Sequence, residues 1–208
     1  MNKILAIGGA VIKTAREELL EVIKTKDIKM LIHNGGSLFH DFQIATDKSL
    51  VGTSYPLTKL LEDYSCNKEA SKLVWNYLDG KNAPEGSITR YCQDNNIKVL
   101  MFTGLACDFW QLYDFRWSII GRTTYTDFQE LTMIMYNPFH YILLGSAVIH
   151  PEAFIKAIAV ARPKEFKTTV VDFKEMYRPM TRIVPYGKYY QITHKEFLTK
   201  WLNGEINV

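Results

Sequence analysis

Short apolar runs alternate along this chain with longer segments in which apolar residues recur at helical spacing. The runs predict buried β-strands at residues 3–7, 30–32, 98–102, 141–144 and 168–172. The periodic segments predict helices at residues 15–24, from 38 onward, and at 57–63, 67–78, 87–95, 109–113, 127–136, 152–161 and 194–201. Strands that alternate with helices in this way are typical of an α/β protein built on a mostly parallel sheet.

Small residues follow three of the predicted strands within one or two positions. Gly8-Gly9 follows the first strand, Asn34-Gly35-Gly36-Ser37 the second, and Gly145-Ser146 the fourth. At the carboxyl ends of parallel strands, backbone N–H groups and helix N-termini can face an anionic ligand, and a nucleotide cofactor is a natural candidate. The alternative is that these are ordinary glycine turns that bind nothing. Gly8-Gly9-Ala10 is not a complete G-x-G-x-x-G motif.

Asp108 comes shortly after the strand predicted at 98–102. This position suits a ligand contact at the carboxyl edge of the sheet. It also suits an N-cap of the helix predicted at 109–113, and the sequence leaves both roles open.

Composition and charge narrow the class of protein. The chain has 208 residues, of which 47% are hydrophobic, so it can bury one sizeable core, and we predict a single domain over residues 1–208. Its formal charge of +3 comes from residues scattered along the chain. Nucleic-acid binding is not predicted, because it usually requires a dense basic stripe.

The cysteines and the apolar segments bear on localisation. Cys66, Cys92 and Cys107 are odd in number and widely spaced, without a CxxC pair, so we predict reduced thiols and no metal site. No apolar run approaches the roughly 18 residues of a membrane span, and the first apolar segment is too short for a signal peptide. These features predict a cytoplasmic protein without membrane contacts.

Taken in chain order, the motifs are similar to those of deoxyhypusine synthases. Residues 32–41, with the sequence IHNGGSLFHD, resemble the strand, glycine and carboxylate segment of that family. The later matching blocks are Gly86-Ser87-Ile88, Ile97-Lys98-Val99 with Asp108, residues 127–131, residues 142–148 with His150, and Tyr186-Gly187-Lys188. Several blocks in the right order are more specific than any one alone.

The resemblance implies a Rossmann-like, doubly wound sheet that binds NAD, and a homotetramer. The resemblance and the positions after the strands together give the residues predicted to contact the cofactor, which are Gly8, Gly9, Asn34, Gly35, Gly36, His40, Asp41, Asp108, Gly145 and Ser146. In the family, NAD takes a hydride from spermidine, and a lysine then carries the aminobutyl group as an imine before an acceptor receives it. Lys188 matches that lysine, and His150 is the candidate for moving protons near the oxidised carbon.

The chain departs from the family in length and in charge. It is much shorter than the family's members, and Tyr186 stands where the family has tryptophan. Arg178 and Arg182, rather than acidic residues, precede Lys188. Guanidinium groups suit a carboxylate or phosphate, so the substrate is predicted to differ from spermidine. Alternatively, these arginines pair with Asp172 or Glu175.

Three hypotheses follow for function. The first is an NAD-dependent transferase that acts on an amine through an imine at Lys188. The second is an NAD-binding enzyme of the ornithine-deaminating type, in which Asn34, His40 and Asp108 matter and Lys188 does not. The third is a non-catalytic binding or assembly protein with the same fold. A small-molecule substrate is expected under the first two.

Overall fold

The computed structural model describes residues 1–47, 64–102 and 116–208. Six parallel strands form one sheet in the order β3-β2-β1-β4-β5-β6. The strands are β1 Asn2–Ile7, β2 Ile28–Asn34, β3 Lys98–Phe102, β4 Phe139–Leu144, β5 Phe166–Val171 and β6 Gly187–Tyr190. This is the strand order of the doubly wound, Rossmann-like fold, which confirms the predicted fold class.

Helices connect the strands on both faces of the sheet. They are α1 Gly9–Thr14, α2 Arg16–Thr25, α3 Gly35–Thr46, α4 Tyr64–Leu78, α5 Ile88–Asp94, α6 Trp117–Ile134, α7 Ile149–Ala161, α8 Tyr177–Arg182 and α9 His194–Leu202. The helices predicted at 57–63 and 109–113 lie outside the described residues. The other predicted helices are present, although α6 begins ten residues earlier than expected.

Two predicted loops contain regular structure. Residues 177–179 were expected to be a loop, but they begin α8, where Pro179 is compatible because it lies in the first turn. The compact turn expected at 184–189 is instead a 3₁₀ helix, Val184–Tyr186, followed by β6. β6 escaped prediction because its four residues, GKYY, do not form an apolar run.

Alternate side chains of the strands pack into two separate cores. On one face, Leu5, Leu31 and Ile142 pack with residues of α1, α2, α5 and α9. On the other face, Ile4, Ile32 and other strand residues pack with α6, α7 and Ile183. Residues of α3, α4 and α6 form a third cluster near β3. The sheet is therefore covered on both faces, as a parallel sheet requires.

In the part of the chain that the structure describes, no helix is long and apolar enough to cross a membrane.

Candidate functional site

The strand order changes direction between β1 and β4, and ligands of open α/β sheets bind outside the carboxyl ends of the strands at such a point. Here the backbones of Gly8 and Gly145 touch. The Gly8 N–H donates to the carbonyl of Leu144 at 2.8 Å, and a methyl group on Gly8 would lie 1.6 Å from the Gly145 carbonyl oxygen. Ser146, which follows, is buried. The predicted Gly8 and Gly145-Ser146 positions are therefore brought together.

The sequence predicted a separate turn at residues 34–37, before a helix that begins at Leu38. The structure has no such turn. α3 begins directly at Gly35, and Asn34 is its N-cap. Asn34 Oδ1 accepts the Ser37 N–H at 2.8 Å, while Ser37 Oγ accepts the Asn34 N–H at 3.0 Å. The first N–H groups of a helix have no intrahelical partner. Within the described residues, no backbone partner is found for the N–H groups of Gly35, which is buried, and Gly36.

The start of α1 adjoins the start of α3. A methyl group on Gly9 would lie 3.0 Å from His40 Cδ2 and 3.5 Å from the carbonyl carbon of Gly36. His40 Nδ1 lies 3.2 Å from Gln43 Oε1, and burial, with the charge of Lys13 nearby, lowers the pKa of His40 to about 4. Gly9, Gly36 and a neutral His40 thus share one corner of the carboxyl edge.

Asp41 is buried, and protein groups donate hydrogen bonds to both oxygens of its carboxylate. Its Oδ1 accepts from Arg16 Nη1 at 2.5 Å and from the Ile88 N–H at 2.9 Å. Its Oδ2 accepts from the N–H and the hydroxyl of Thr89, at 2.8 and 2.7 Å. A carboxylate offers about four lone-pair sites, and all are used here. Asp41 therefore fastens the start of α5 to α2 and α3, and its contact with a cofactor stays a prediction.

Two buried histidines lie beneath the same edge. The ring of His33 lies between Ser37 Oγ, 3.0 Å from Nδ1, and Thr89 Oγ1, 3.3 Å from Nε2. His150, fully buried at the start of α7, lies beside the backbone of His33, and neither of its ring nitrogens makes a well-formed hydrogen bond within the described residues. Burial lowers the pKa of His150 to about 3, so its imidazole is neutral. Its role in proton transfer stays a prediction.

Sequence reasoning did not single out His194 and Asp172 as a pair at this edge. A methyl group on Gly145 would lie 2.6 Å from Nε2 and Cε1 of His194. His194 Nε2 is 4.0 Å from Asp172 Oδ1 and has no hydrogen-bond partner among the described residues. Burial lowers the pKa of His194, against the opposing effect of Asp172. A sequence signal existed in part, because Asp172 ends a predicted strand and His194 begins a predicted helix.

Arg178 and Arg182 do not pair with the acidic residues considered from the sequence. Both guanidinium groups contact Glu152 Oε1, at 3.1 Å from Arg178 Nε and 2.8 Å from Arg182 Nε. Arg182 also lies over the ring of Tyr177, with 5.7 Å between the guanidinium carbon and the ring centroid. One carboxylate between two guanidinium groups leaves a net positive charge. Substrate binding by these arginines stays a prediction.

Lys188 lies apart from the glycine residues. It is exposed on β6, in register with Thr169 of β5. Strands β5 and β4 separate β6 from β1, and neighbouring strands are about 4.8 Å apart, so Lys188 is roughly 14 Å from β1 across the sheet. Its covalent role therefore stays a prediction from the resemblance. Asp108 lies outside the described residues.

No family model matches this sequence, and no similar curated protein was found. Solved structures do share the fold. A LOR/SDH protein of Methanococcus maripaludis S2 has 16% identity and a TM-score of 0.69, over 97% of this chain and 60% of that one. AgrE, solved as a ternary complex with ornithine and NAD⁺, has 15% identity and a TM-score of 0.65, over 97% of this chain and 30% of that one.

A more distant solved structure also shares the fold. A deoxyhypusine synthase from Entamoeba histolytica has 7% identity and a TM-score of 0.57, over 98% of this chain and 74% of that one. At such identities the likeness shows the fold alone. The chain spans less than two thirds of the length of the LOR/SDH protein and under a third of AgrE.

Proposed function

We propose that this chain binds NAD at the carboxyl edge of its sheet. The observation that carries the proposal is the adjoining start of α1 and α3, where Gly9 lies against Gly36 at the N-terminus of α3, the end of a helix that favours an anionic group such as a diphosphate. The 12-residue α3 points the positive end of its dipole at the same place.

The fold likeness supports the same cofactor. AgrE shares this fold over nearly the whole of our chain and was solved with NAD⁺ and ornithine. Both enzyme hypotheses from the sequence use NAD in the same way. When bound, NAD would supply a hydride acceptor for the carbon that carries an amine.

His194 is the residue best placed to assist such an oxidation. Oxidation of an amine to an imine releases a hydride and a proton, and a neutral imidazole can accept the proton. Burial lowers the pKa of His194 and so favours its neutral form, its Nε2 is unpartnered among the described groups, and it lies against the turn at Gly145. Asp172, 4.0 Å away, would stabilise the imidazolium that results.

The substrate class we favour is a small amino acid or amine, as in the ornithine-deaminating type. The separation of Lys188 from the glycine residues favours this candidate over aminobutyl transfer through a lysine imine. The transferase hypothesis can be tested directly by trapping the imine at Lys188. Reduction with borohydride in the presence of an amino aldehyde would label Lys188 covalently if that residue forms an imine.

Ala10 offers a test of NAD binding that leaves the fold intact. It is exposed in the first turn of α1, where an acidic residue favours the helix. Ala10→Asp places a negative charge beside the proposed diphosphate, and we expect NAD affinity to fall at least about tenfold in calorimetric titration. Ala10→Asn, which has the same shape without the charge, is the matched control and should change affinity by less than about threefold.

Equal affinities of the two variants would contradict a diphosphate at the start of α1. Absence of saturable NAD binding by the unaltered chain would overturn the cofactor itself and leave the non-catalytic hypothesis. Thermal unfolding of both variants verifies that each is folded.

Domain organisation and assembly remain proposals. All six strands belong to one sheet, which supports a single domain over residues 1–208. The homotetramer is implied by the resemblance to deoxyhypusine synthases, and light scattering of the purified 24.1 kDa chain would measure it.

A further inference from the structure

A cavity lies at the amino ends of the strands, away from the carboxyl edge of the sheet. Its volume is about 400 Å³, within the range of small-molecule sites. The lining residues are His140, Lys167, Thr168, Thr169, Tyr186, Gly187, Lys188, Asn207 and Val208. His140 and Lys167 are each the second residue of their strand, so the cavity opens toward the amino ends of β4 and β5.

The strand register places four polar side chains on one face of the sheet. His140 is in register with Lys167, and Lys188 with Thr169. Lys167 and Thr169 are two residues apart on β5, so they point to the same face. Lys167 and Lys188 are then diagonal neighbours on adjacent strands, with Cα atoms roughly 8 Å apart. Two flexible lysine side chains at that separation can meet at one anion.

Lysine side chains give this cavity positive charge. Neither Lys167 nor Lys188 forms an ion pair with another side chain of the described residues. Lys3, which is in register with His140, lies close enough to add to the positive potential. An anion would relieve the repulsion among these ammonium groups.

The ring of His140 has a fixed orientation beside these lysines. Its Nε2 is 2.9 Å from Thr169 Oγ1, which fixes the ring. Burial and the charges of Lys167, Lys3 and Lys188 lower the pKa of His140 to about 4, so the ring is neutral in the free protein. Tyr186, 43% exposed and tilted on Phe166 at 5.2 Å between ring centroids, supplies an aromatic wall at the same cavity.

We propose that this cavity is a binding site for a small phosphate monoester, with Lys167 and Lys188 holding the phosphate and Tyr186 contacting the rest of the ligand. Lysine ammonium groups bind phosphate as point charges. The volume exceeds what inorganic phosphate alone needs, and the aromatic wall suits an organic group. The site is separate from the carboxyl edge, where we place NAD.

The test is calorimetric titration with inorganic phosphate and with phenyl phosphate at constant ionic strength. We expect saturable binding of both probes, with phenyl phosphate the tighter because of Tyr186. The double variant Lys167→Ala/Lys188→Ala should weaken both by at least about tenfold. Lys72→Ala/Lys156→Ala is the matched control, because it removes the same charge from exposed helix positions and should change affinity less than about threefold.

Two outcomes would overturn the proposal. One is absence of saturable binding of either probe at about 10 mM, a concentration that reveals even weak sites. The other is equal weakening in the double variant and its control, which would mean that only net charge matters. NAD titration of Lys167→Ala separates the two sites. Unchanged NAD affinity supports a distinct phosphate site, whereas parallel loss of NAD and phosphate binding contradicts it.

Discussion

At Gly145 the backbone has φ of +59°, and the ring of His194 lies against the glycine. Gly145→Ala would therefore impose both backbone strain and a clash at 2.6 Å, and we expect it to lower the free energy of unfolding by roughly 2–4 kcal/mol. Gly204 has a similar φ of +77° with nothing nearby, so Gly204→Ala should cost only about 1 kcal/mol.

Urea unfolding of Gly145→Ala and Gly204→Ala measures the two losses of unfolding free energy, and their difference reports the clash with His194. His194→Ala introduced together with Gly145→Ala should recover part of the loss, as a double-mutant cycle shows. Equal costs at the two glycines would mean that His194 does not contact Gly145.

Asp41 gives a second prediction at the scale of single residues. Asp41→Asn places an amide N–H₂ group among N–H and O–H donors and removes the charge that faces Arg16. We expect a loss of about 3 kcal/mol, measured by urea unfolding, because buried donors are left unsatisfied. Asp94→Asn breaks the exposed pair with Arg90 and should cost less than about 1 kcal/mol. Similar losses would contradict the structural role of Asp41.

Single residues were predicted unevenly from the sequence. Gly8, Gly9, Gly36 and Gly145 became candidates from their positions after predicted strands, and His40 from the family resemblance. The structure places them near the carboxyl edge, and their contact with a cofactor stays a prediction. The pairing of Arg178 and Arg182 with Asp172 or Glu175 was wrong. Both arginines contact Glu152, which is remote in the sequence and is brought to them by the packing of α7 on α8. Such contacts depend on tertiary geometry that no local pattern encodes.

Among the elements, α3 matters most for the proposed function. Asn34→Ala removes its N-cap and should cost about 1 kcal/mol in urea unfolding. It should also weaken NAD binding about three- to tenfold, because the first turn that carries Gly35 and Gly36 loosens. Ser87→Ala removes the N-cap of α5 and is the control. It should cost a similar stability and leave NAD affinity unchanged; equal effects on NAD would contradict a specific role of α3.

The elements show where periodicity succeeds and fails. Five strands were predicted because buried parallel strands are continuous apolar runs, such as residues 98–102 and 141–144. β6 lies at the sheet edge and is largely exposed, so its sequence lacks that signal. α8 was missed because Pro179 suggests a loop, although proline is tolerated in the first turn of a helix.

At the scale of the whole molecule, buried histidines determine the acid sensitivity. Burial lowers the pKa of His33, His40 and His140 to about 4 and that of His150 to about 3. The unfolded chain therefore binds more protons below about pH 6.5, and stability is lost as the pH falls from there toward 4. Asp127, whose pKa burial raises to about 7, opposes this loss but is a single group.

Urea midpoints measured between pH 7 and 4.5 should fall steadily, and each histidine contributes at most about 1.4 kcal/mol per pH unit. His140→Gln should make the decline shallower. A midpoint independent of pH over this range would show that these imidazoles are not buried in the neutral form.

NMR of the chain labelled with ¹⁵N-glycine tests most directly whether NAD binds where α1 and α3 begin. Saturating NAD should shift the amide signals of Gly9, Gly35, Gly36 and Gly145, and leave those of Gly121 and Gly187 unchanged. Shifts confined to Gly187, or no shifts at all, would contradict the account.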